Sequence, residues 1–332
     1  MKVLLYTENE KLIGKSGLGK AIKHQINALK ENNIEFTTDP NDDYDIVHIN
    51  FYGPNSYLLA KKSKELGKKV IYHAHSTEED FRNSFVLSNQ LAPAFKKWLI
   101  KCYSLGDHIL TPTPYSKKLL EGYGIEVPIT DISNGINVEF FKKNIELGKE
   151  FRKKFGYKDT DKIIMGVGLY IERKGILDFV ELAKMLPEYK FIWFGHSPLI
   201  ASPAKIKKAV STKLDNLIFA GYVEPEVLRG AYSGCNLYLF PTLEETEGIP
   251  IMEACAAKIP ALIRDIPVFD EWLEDGKNVY KAKDVDEFEK KIKDFFSGKL
   301  KSVAKNSYKL AKERDLKNIA KELKEVYKNL YK

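Results

Sequence analysis

Cysteine is scarce in this sequence, which has 3 among 332 residues: Cys102, Cys235 and Cys255. None belongs to a C-x-x-C pair, so the spacing predicts neither a thiolate-bound zinc nor a redox disulfide. An odd number of cysteines also argues against the disulfide framework that holds small secreted domains together. The cysteine content therefore favours a reducing, cytoplasmic setting.

Long apolar runs are absent as well. No window approaches the roughly 18 apolar residues that a membrane-spanning helix needs. The apolar run in the opening stretch MKVLLYTENE is too short for a secretion signal, and we expect none. Any contact with a membrane is therefore expected to be peripheral.

Apolar and charged residues, by contrast, are plentiful. Hydrophobic residues make up 44% of the chain and charged residues 30%, which argues against a disordered polypeptide and is ample for two packed cores. The net charge of +7 indicates an anionic partner, for which nucleic acid, anionic lipid and a sugar nucleotide all qualify.

Short apolar runs alternate with longer amphipathic stretches in both halves of the chain. This alternation predicts an α/β fold with two parallel sheets, each covered by helices on both faces. The charged stretch 135–156 is interpreted as the connector between them. We expect domains over 1–140 and 141–313, with a C-terminal helix over 314–332 that packs back toward the first domain. Ligands of such sheets bind beyond the carboxyl ends of the strands, so the expected site is a cleft between the domains.

The segment IGKSGLGKAIKHQINAL, residues 13–29, has features of a phosphate loop. Gly14, Gly19 and the lysine after it have the required spacing, but Ala21 stands where a Mg²⁺-binding hydroxyl is needed. The pattern therefore argues against a nucleoside triphosphate loop. Gly17 and Gly19 open a predicted helix, where free N–H groups favour an anion; a flexible turn is the equally weighted alternative.

Two glutamates lie eight residues apart in the stretch PTLEETEGIPIMEACAAKIP, namely Glu245 and Glu253. A buried strand precedes them, Gly248 permits a tight turn, and a helix follows, so both carboxylates are expected at one sheet edge. A carboxylate accepts hydrogen bonds from neighbouring hydroxyls such as those of a sugar or a ribose. The alternative is an ordinary surface glutamate and a helix-starting glutamate.

Two basic segments complete the pattern. Arg173 and Lys174, in GVGLYIERKGI, follow a strand and precede a helix, which suits a diphosphate; solvated charge is the alternative. The segment APAFKKWLIKCYSL, residues 92–105, combines lysines with aromatic side chains and is expected to lie on an anionic bilayer. The residues proposed for that contact are Lys96, Lys97, Trp98 and Lys101. The alternative places its apolar residues, including Leu99 and Tyr103, in the core.

In chain order these segments resemble the family-4 retaining glycosyltransferases of the GT-B fold. The matching pieces are the loop at 17–19, YHAHSTEEDF, TPYSKKLL, ISNGINVEFF, RKG, IFAGYV and EETEGIPIMEACA, which span nearly the whole chain. GLYIERKG and YHAHSTEEDF are most similar to bacterial enzymes that add a second hexose to monoglucosyl-diacylglycerol. The resemblance implies two Rossmann-like domains that face each other across a cleft.

The resemblance also implies a role for each motif. Glu253 would hold the donor ribose and Glu245 the hydroxyls of the donor sugar. Lys174 matches the family's lysine, but Leu169 stands at the position of the family's arginine, so Arg173 is the candidate replacement. The implied donor-binding set is Gly17, Gly19, Arg173, Lys174, Glu245, Gly248, Ile249, Pro250 and Glu253.

A histidine completes the implied catalytic set. His75 aligns with the family histidine through the downstream EDF and would contact the donor sugar, so the set is His75, Arg173, Lys174 and Glu245. His73 lies two residues earlier, and the pair could bind a metal on spacing alone. No third ligand is evident, so we expect no metal site and no tightly bound cofactor, with Mg²⁺ only as a candidate activator.

The implied activity is transfer of a hexose from a UDP-sugar to monoglucosyl-diacylglycerol. UDP-glucose is the expected donor and UDP-galactose the alternative, and the chain would work on anionic lipid at the inner face of the cell membrane. Other possibilities are a soluble or polysaccharide acceptor, a UDP-sugar epimerase and a basic nucleic-acid-binding module. The last lacks any recognised nucleic-acid-reading motif, so no nucleic acid partner is expected.

Overall fold

The structure is a computed structural model that describes residues 1–8 and 17–332. Gly14 of the candidate phosphate loop lies outside the described residues. The chain divides into two compact units. The first unit comprises Met1–Phe81, Gln90–Asn137 and Arg314–Lys332, and the second comprises Arg82–Asn89 and Val138–Glu313.

The first unit contains a six-stranded sheet in the order β2-β1-β3-β4-β5-β6, and every neighbouring pair of strands is parallel. Its strands are β1 (Lys2–Tyr6), β2 (Glu35–Thr37), β3 (Ile46–Ile49), β4 (Lys69–His73), β5 (His108–Thr111) and β6 (Ile129–Asp131). The strand order reverses between β1 and β3. In open parallel sheets this reversal is the place where ligands bind.

The second unit contains a six-stranded parallel sheet in the order β12-β11-β10-β7-β8-β9. Its strands are β7 (Ile163–Val167), β8 (Lys190–Phe194), β9 (Leu217–Gly221), β10 (Leu237–Phe240), β11 (Ala261–Arg264) and β12 (Tyr280–Ala282). Here the order reverses between β7 and β10. The predicted α/β fold with two Rossmann-like parallel sheets is confirmed.

The helices of the described residues lie between the strands and after them. They are α1 (Gly17–Glu31), α2 (Pro54–Glu65), α3 (Glu78–Phe81), α4 (Ser88–Tyr103), α5 (Pro114–Gly122), α6 (Val138–Phe141), α7 (Ile145–Lys154), α8 (Ile176–Met185), α9 (Ala204–Val210), α10 (Pro225–Gly234), α11 (Ile249–Ala256), α12 (Val285–Phe296), α13 (Ala304–Glu313) and α14 (Leu316–Tyr331). Within this part of the chain, no helix is long and apolar enough to cross a membrane.

Both faces of the first sheet are covered, because successive residues of a strand point to opposite faces. In β1, Val3 and Leu5 pack into one apolar cluster and Leu4 packs into the other. The first cluster includes buried residues of α1 and α14, and the second includes residues of α2 and α4. A strand buried on both sides must be apolar throughout, which explains the uninterrupted runs in the sequence.

The stretch interpreted as a charged connector contains the division between the two units at 137/138 and is largely helical. Most of it forms α6 and α7, and the Asn144 side chain caps α7 by accepting a hydrogen bond from the Leu147 N–H at 3.0 Å. Phe151 is 2% exposed and anchors α7 in the second unit. The charges of this segment occupy the outer face of an amphipathic helix, which single-sequence inspection took for a linker.

Candidate active site

The carboxyl ends of β7 and β10 are neighbours at the point where the second sheet reverses its strand order. A 3-10 turn, Glu172–Lys174, follows β7, and Glu245 lies in the segment that follows β10. The Lys174 ammonium donates a hydrogen bond to Glu245 Oε1, and Thr242 Oγ1 donates to the same oxygen at 2.9 Å. The structure thus brings together Lys174 and Glu245, which are far apart in sequence.

Arg173 lies on the other side of the same carboxylate. Its guanidinium is 3.8 Å from Glu245 Oε2 and donates to the Glu244 carbonyl at 2.9 Å. Its Nε also donates to Ser84 Oγ at 3.4 Å. Arg173 therefore supplies positive charge at the site from the turn after β7, although the family's arginine position holds Leu169.

The charge state of Glu245 follows from these contacts. Burial acts to raise the pKa of this carboxyl, because its side chain is 7% exposed. The charges of Lys174 and Arg173 and the hydrogen bonds from Lys174 and Thr242 outweigh burial, so the pKa of Glu245 lies below its ordinary value. Glu245 is therefore ionised at neutral pH and can accept hydrogen bonds from hydroxyls, but it has no proton to give.

Gly175 allows the turn after β7 to pack closely against the end of β10. It has φ +73°, and a Cβ atom there would lie 2.0 Å from the Pro241 carbonyl oxygen. Only glycine combines this left-handed backbone with so close an approach. The RKG turn consequently sits against the end of β10, where Leu243 N–H donates to the Arg173 carbonyl at 2.7 Å.

Arg264 supports the same loop from β11, and the sequence analysis missed it. Its Nε donates to the Pro241 carbonyl at 3.1 Å, Nη1 donates to the Lys283 carbonyl at 2.6 Å, and Nη2 pairs with Asp178 of α8. Arg264 is 7% exposed, so its charge depends on these partners. A charged residue that ends an apolar strand, as in IPALIR, was the signal that could have found it.

Glu253 lies in the second turn of α11, as predicted for a residue in the early turns of this helix. Gly248 precedes this helix with φ +93°, and the helix begins at Ile249 with Pro250 in its first turn. The Glu253 side chain is fully buried and accepts a hydrogen bond from the Tyr232 hydroxyl at 2.8 Å. Tyr232, a residue of α10, is the second contact that sequence reasoning missed, because no motif signals it.

The first unit holds a different kind of site. Around the ends of β3 and β4, His48, His73 and His75 form a row of rings, and the His73 and His75 rings stack at 4.0 Å with a 6° interplanar angle. Stacked rings direct their nitrogens sideways rather than toward a common point. Accordingly, residues 1–8 and 17–332 contain no group of three metal-ligating side chains that could hold an ion.

These histidines are embedded in other polar groups. His75 Nε2 lies 2.8 Å from Asn50 Oδ1, and Gln25 Nε2 lies 2.9 Å from His73 Nδ1. Burial lowers the pKa of His48 to about 3, with His75 as a second cause, and burial also holds the pKa of His73 well below 6.5. The sequence analysis missed His48, although a histidine inside the apolar run IVHIN was a usable signal.

The predicted phosphate-loop glycines also belong to the first unit. Gly17 is the exposed first residue of α1, and a Cβ atom there would have nothing within 4 Å. Gly19 is buried two residues later. Within the described residues, both glycines thus belong to the first turn of α1.

The predicted membrane segment is partly core. Leu99 and Tyr103 of α4 are 0% and 1% exposed, as the core alternative predicted for these two residues. Trp98 donates from Nε1 to the Tyr52 carbonyl at 2.6 Å. The ammonium groups of this helix differ in their contacts: Lys96 is 3.4 Å from Glu78, whereas Lys97 and Lys101 are exposed.

Two protein-family models match this chain, each over a different part of it. The family model described as glycosyl transferases group 1 matches residues 148–321, and the model described as glycosyltransferase family 4 matches residues 23–140. A processive diacylglycerol alpha-glucosyltransferase of Acholeplasma laidlawii is 41% identical, covering 100% of this chain and 99% of the relative. An alpha-galactosylglucosyldiacylglycerol synthase of Streptococcus pneumoniae is 26% identical, covering 82% of this chain and 75% of the relative.

Solved structures agree with this placement. Anabaena HepE, solved in complex with UDP-glucose, has a TM-score of 0.78 at 16% identity and covers 99% of this chain and 100% of HepE. A sucrose-phosphate synthase of Thermosynechococcus elongatus has a TM-score of 0.79 at 15% identity, covering 100% and 99%. At these identities the likeness shows the fold alone. This chain therefore belongs to the family 4, group 1 glycosyltransferases and has their GT-B fold.

Proposed function

We propose that this chain is a retaining glucosyltransferase that moves glucose from UDP-glucose to monoglucosyl-diacylglycerol and makes a diglycosyl lipid. The observation that carries the proposal is the full-length, 41% identity to a relative named for diacylglycerol glucosylation. The structural likeness to a protein solved with UDP-glucose supports a UDP-sugar donor. We place the reaction at the inner face of the cell membrane, on anionic lipid.

The second unit is the proposed donor unit. Glu253 would take the ribose hydroxyls, Glu245 the hydroxyls of the donor sugar, and Arg173 with Lys174 the diphosphate. The backbone of Gly248, Ile249 and Pro250 would lie against sugar and phosphate. The ionised state of Glu245 supports its part, since a carboxylate is a strong acceptor for hydroxyl donors.

The first unit is the proposed acceptor unit. Its His75 would contact the donor sugar, and the backbone at Gly17 and Gly19 would approach the diphosphate; both roles come from the family resemblance. Domain boundaries at 140 and 313, with a C-terminal helix from 314, remain our prediction for the functional division.

The chemistry follows from the charges. The leaving group is UDP, and the cationic groups of Lys174 and Arg173 would stabilise the negative charge that develops on it. Glu245 Oε1 accepts from both Lys174 and Thr242, which disfavours this carboxylate as a nucleophile. We therefore favour front-face displacement, in which the leaving phosphate accepts the acceptor's proton. A covalent enzyme adduct trapped with a slow donor analogue would contradict this route.

Galactose is the second candidate sugar. The Streptococcus pneumoniae relative, at 26% identity, is named for an alpha-galactosylglucosyl lipid, which keeps UDP-galactose in view as a donor. Discrimination between the two sugars depends on the orientation of one hydroxyl, and a site that hydrogen-bonds that hydroxyl can discriminate strongly.

One assay tests the proposal. Purified protein is mixed with radiolabelled UDP-glucose or UDP-galactose and with monoglucosyl-diacylglycerol or diacylglycerol in mixed micelles, with and without phosphatidylglycerol. We expect labelled diglycosyl lipid from UDP-glucose and monoglucosyl-diacylglycerol, with more product when phosphatidylglycerol is present. Label in a soluble sugar instead, or a UDP-sugar converted without any acceptor, would contradict the lipid acceptor.

Membrane contact has its own test. Lys97 and Lys101 are the exposed lysines of α4, so the double variant Lys97→Glu/Lys101→Glu should weaken binding to phosphatidylglycerol vesicles at least tenfold, at roughly 1 kcal/mol per lysine. The matched control is Lys207→Glu/Lys208→Glu, which makes the same charge change on exposed lysines of α9. Equal loss in both pairs would show that net charge, and not this helix, governs vesicle binding.

A further inference from the structure

A connected set of polar side chains is buried beside His75 in the first unit. His48, Asn50, His73 and Tyr327 are each no more than 3% exposed, and Gln25 is 5% exposed. They come from α1, β3, the residue after β3, β4 and α14, so five separate places in the sequence contribute. Burying a polar group is unfavourable unless it is hydrogen-bonded, so the pattern of bonds decides what this set does.

The hydrogen bonds around His73 run in one direction. Gln25 Nε2 donates to Asn50 Oδ1 at 2.8 Å and lies 2.9 Å from His73 Nδ1, and an amide N–H can only donate. His73 Nδ1 is therefore an acceptor, and the proton of this neutral ring is on Nε2.

The same direction continues to α14. His48 Nε2 lies 3.2 Å from His73 Nδ1, and two facing lone pairs would repel, so the His48 proton belongs on Nε2, where it shares the single lone pair of His73 Nδ1 with the Gln25 amide. Its Nδ1 is then an acceptor and takes the proton of the Tyr327 hydroxyl, which is 2.6 Å away. The Tyr327 hydroxyl is the first donor of a chain that passes through His48 to His73.

At the other end, the chain reaches His75. Asn50 Oδ1 accepts from Gln25 and lies 2.8 Å from His75 Nε2, so this nitrogen carries a proton and donates to Asn50. A neutral imidazole has one N–H, and the bond made by one nitrogen sets the state of the other. The tautomer therefore leaves a lone pair on His75 Nδ1.

We propose that Tyr327, His48, His73, Gln25 and Asn50 are positioning residues that hold His75 in its Nε2–H tautomer, so that Nδ1 accepts a hydrogen bond from a sugar hydroxyl. The inference rests on the proposed function for the part that His75 plays. It makes the C-terminal helix α14 part of the machinery that prepares the site, through one hydroxyl.

A cavity beside the network has room for a water. Asn50 Nδ2 finds no hydrogen-bond partner among residues 1–8 and 17–332, and neither do His73 Nε2 and Gln25 Oε1. His73 and Gln25 line a cavity of about 10 Å³ between α1 and α14, which has room for a single water. A water there would accept from His73 Nε2–H and donate to Gln25 Oε1, which agrees with the hydrogen-bond directions in the rest of the network.

Tyr327→Phe is the variant that tests the network, because it removes one hydroxyl and keeps the buried ring. Tyr44→Phe is the matched control: Tyr44 is also buried in the first unit, and its hydroxyl bonds Ser63 at 2.9 Å. The ring nitrogens are observed by ¹⁵N NMR of histidine-labelled protein without substrate, and His75→Gln identifies the His75 signals among the 6 histidines.

We expect the wild-type protein and Tyr44→Phe to show His75 with its proton on Nε2. Tyr327→Phe should show a mixture of His75 tautomers, with kcat lowered roughly tenfold and KM for UDP-glucose within about twofold, as for loss of a group that orients a ligand. Gln25→Met, which removes the donor next to His73, should give the same mixture even if Tyr327→Phe folds poorly.

Three results would overturn the inference. They are a wild-type His75 with its proton on Nδ1, an unchanged His75 tautomer in both Tyr327→Phe and Gln25→Met, and a Tyr44→Phe variant that loses kcat as Tyr327→Phe does. Failure to form diglycosyl lipid in the wild-type protein would count against the proposed function alone, since the tautomer is measured without donor or acceptor.

Discussion

The two units share one kind of sheet but differ in what they place at its edge. At the β7/β10 reversal the second unit holds charges: Glu245 between Lys174 and Arg173. Near the ends of β3 and β4 the first unit holds neutral groups, a row of histidines joined by amides and one tyrosine. Charges act over distance and suit a diphosphate, whereas neutral donors and acceptors act by direction and suit hydroxyls.

The same difference explains why the charged site could be predicted from the sequence and the neutral network could not. The charged residues of the second unit lie in two short segments, each next to a glycine that the backbone requires, so the pattern stands out. The neutral network includes Gln25, His48 and Tyr327, which belong to no motif. Gln25 and Tyr327 lie hundreds of residues apart in the sequence. Its members are brought together by α1 and α14 packing on one face of the first sheet.

Among the substitutions that test this comparison, we expect the largest effect in the charged site of the second unit. Glu245→Gln should lower kcat/KM for UDP-glucose at least 100-fold, about 3 kcal/mol, because the neutral amide leaves Lys174 and Arg173 without their counter-charge and binds hydroxyls less strongly. Steady-state kinetics measure it. The control is Glu172→Gln, which breaks a pair with the half-exposed Lys205 and should stay within about twofold of wild type. If Glu245→Gln and Glu172→Gln had similar kcat/KM values, Glu245 would have no special role in the reaction.

A second experiment separates backbone conformation from close approach. Gly175 and Gly156 both have φ +73°, but a Cβ atom at Gly156 would meet nothing within 4 Å. Gly156→Ala should lower the free energy of unfolding by about 1 kcal/mol, and Gly175→Ala by about 3 kcal/mol, because only the latter also displaces the Pro241 carbonyl. Urea titration measures both, and equal losses would mean that the two loops are not locked together.

Both units should lose stability as the pH falls, but the loss should begin at a higher pH in the first unit than at Glu245 of the second. Burial lowers the pKa of His48, His73 and His75, so these rings take up protons only on unfolding as the pH falls through 6.5. Each should cost about 1 kcal/mol of stability between pH 6.5 and pH 5.5. The lowered pKa of Glu245 keeps its contribution intact until the pH falls below 4.5.

Hydrogen exchange of the β4 and β10 amides between pH 6.5 and 5.5 measures this contrast. We expect the opening free energy of β4 to fall by about 3 kcal/mol for the three histidines, while that of β10 stays unchanged. In His48→Gln the β4 loss should be about two thirds as large, whereas His196→Asn, at an exposed histidine of the second unit, should change nothing. A parallel fall in β4 and β10 would contradict the assignment to buried histidines.

The smallest expected effect concerns a single hydroxyl in the charged unit. Tyr232→Phe removes the donor to Glu253 and should weaken UDP binding about fivefold, or about 1 kcal/mol, by calorimetry. Tyr238→Phe is the control, since the buried Tyr238 hydroxyl has no hydrogen-bond partner within the described part of the chain. If both variants bind UDP equally well, Glu253 does not depend on its buried donor.

Much of the fold was accessible from sequence, for a simple reason. Strands buried on both faces are uninterrupted apolar runs, and the helices between them show one apolar face, so both sheets could be predicted. Two short strands, β2 and β12, were not predicted, because three residues are too few to show a clear hydrophobic pattern. The α7 helix escaped because its charge outweighed its periodicity.

The sequence by itself determined the two-sheet fold, the family, and the glutamate and lysine of the charged site, because each lies in a short segment with its own backbone signature. Only the tertiary structure decided that Arg173 and Lys174 share the Glu245 carboxylate, that Arg264 and Tyr232 support this site, and that Leu99 and Tyr103 are core. It alone also joins Tyr327 to His75. Hydrogen bonds are short and directional, so residues from separate elements can make them only once packing has set their positions.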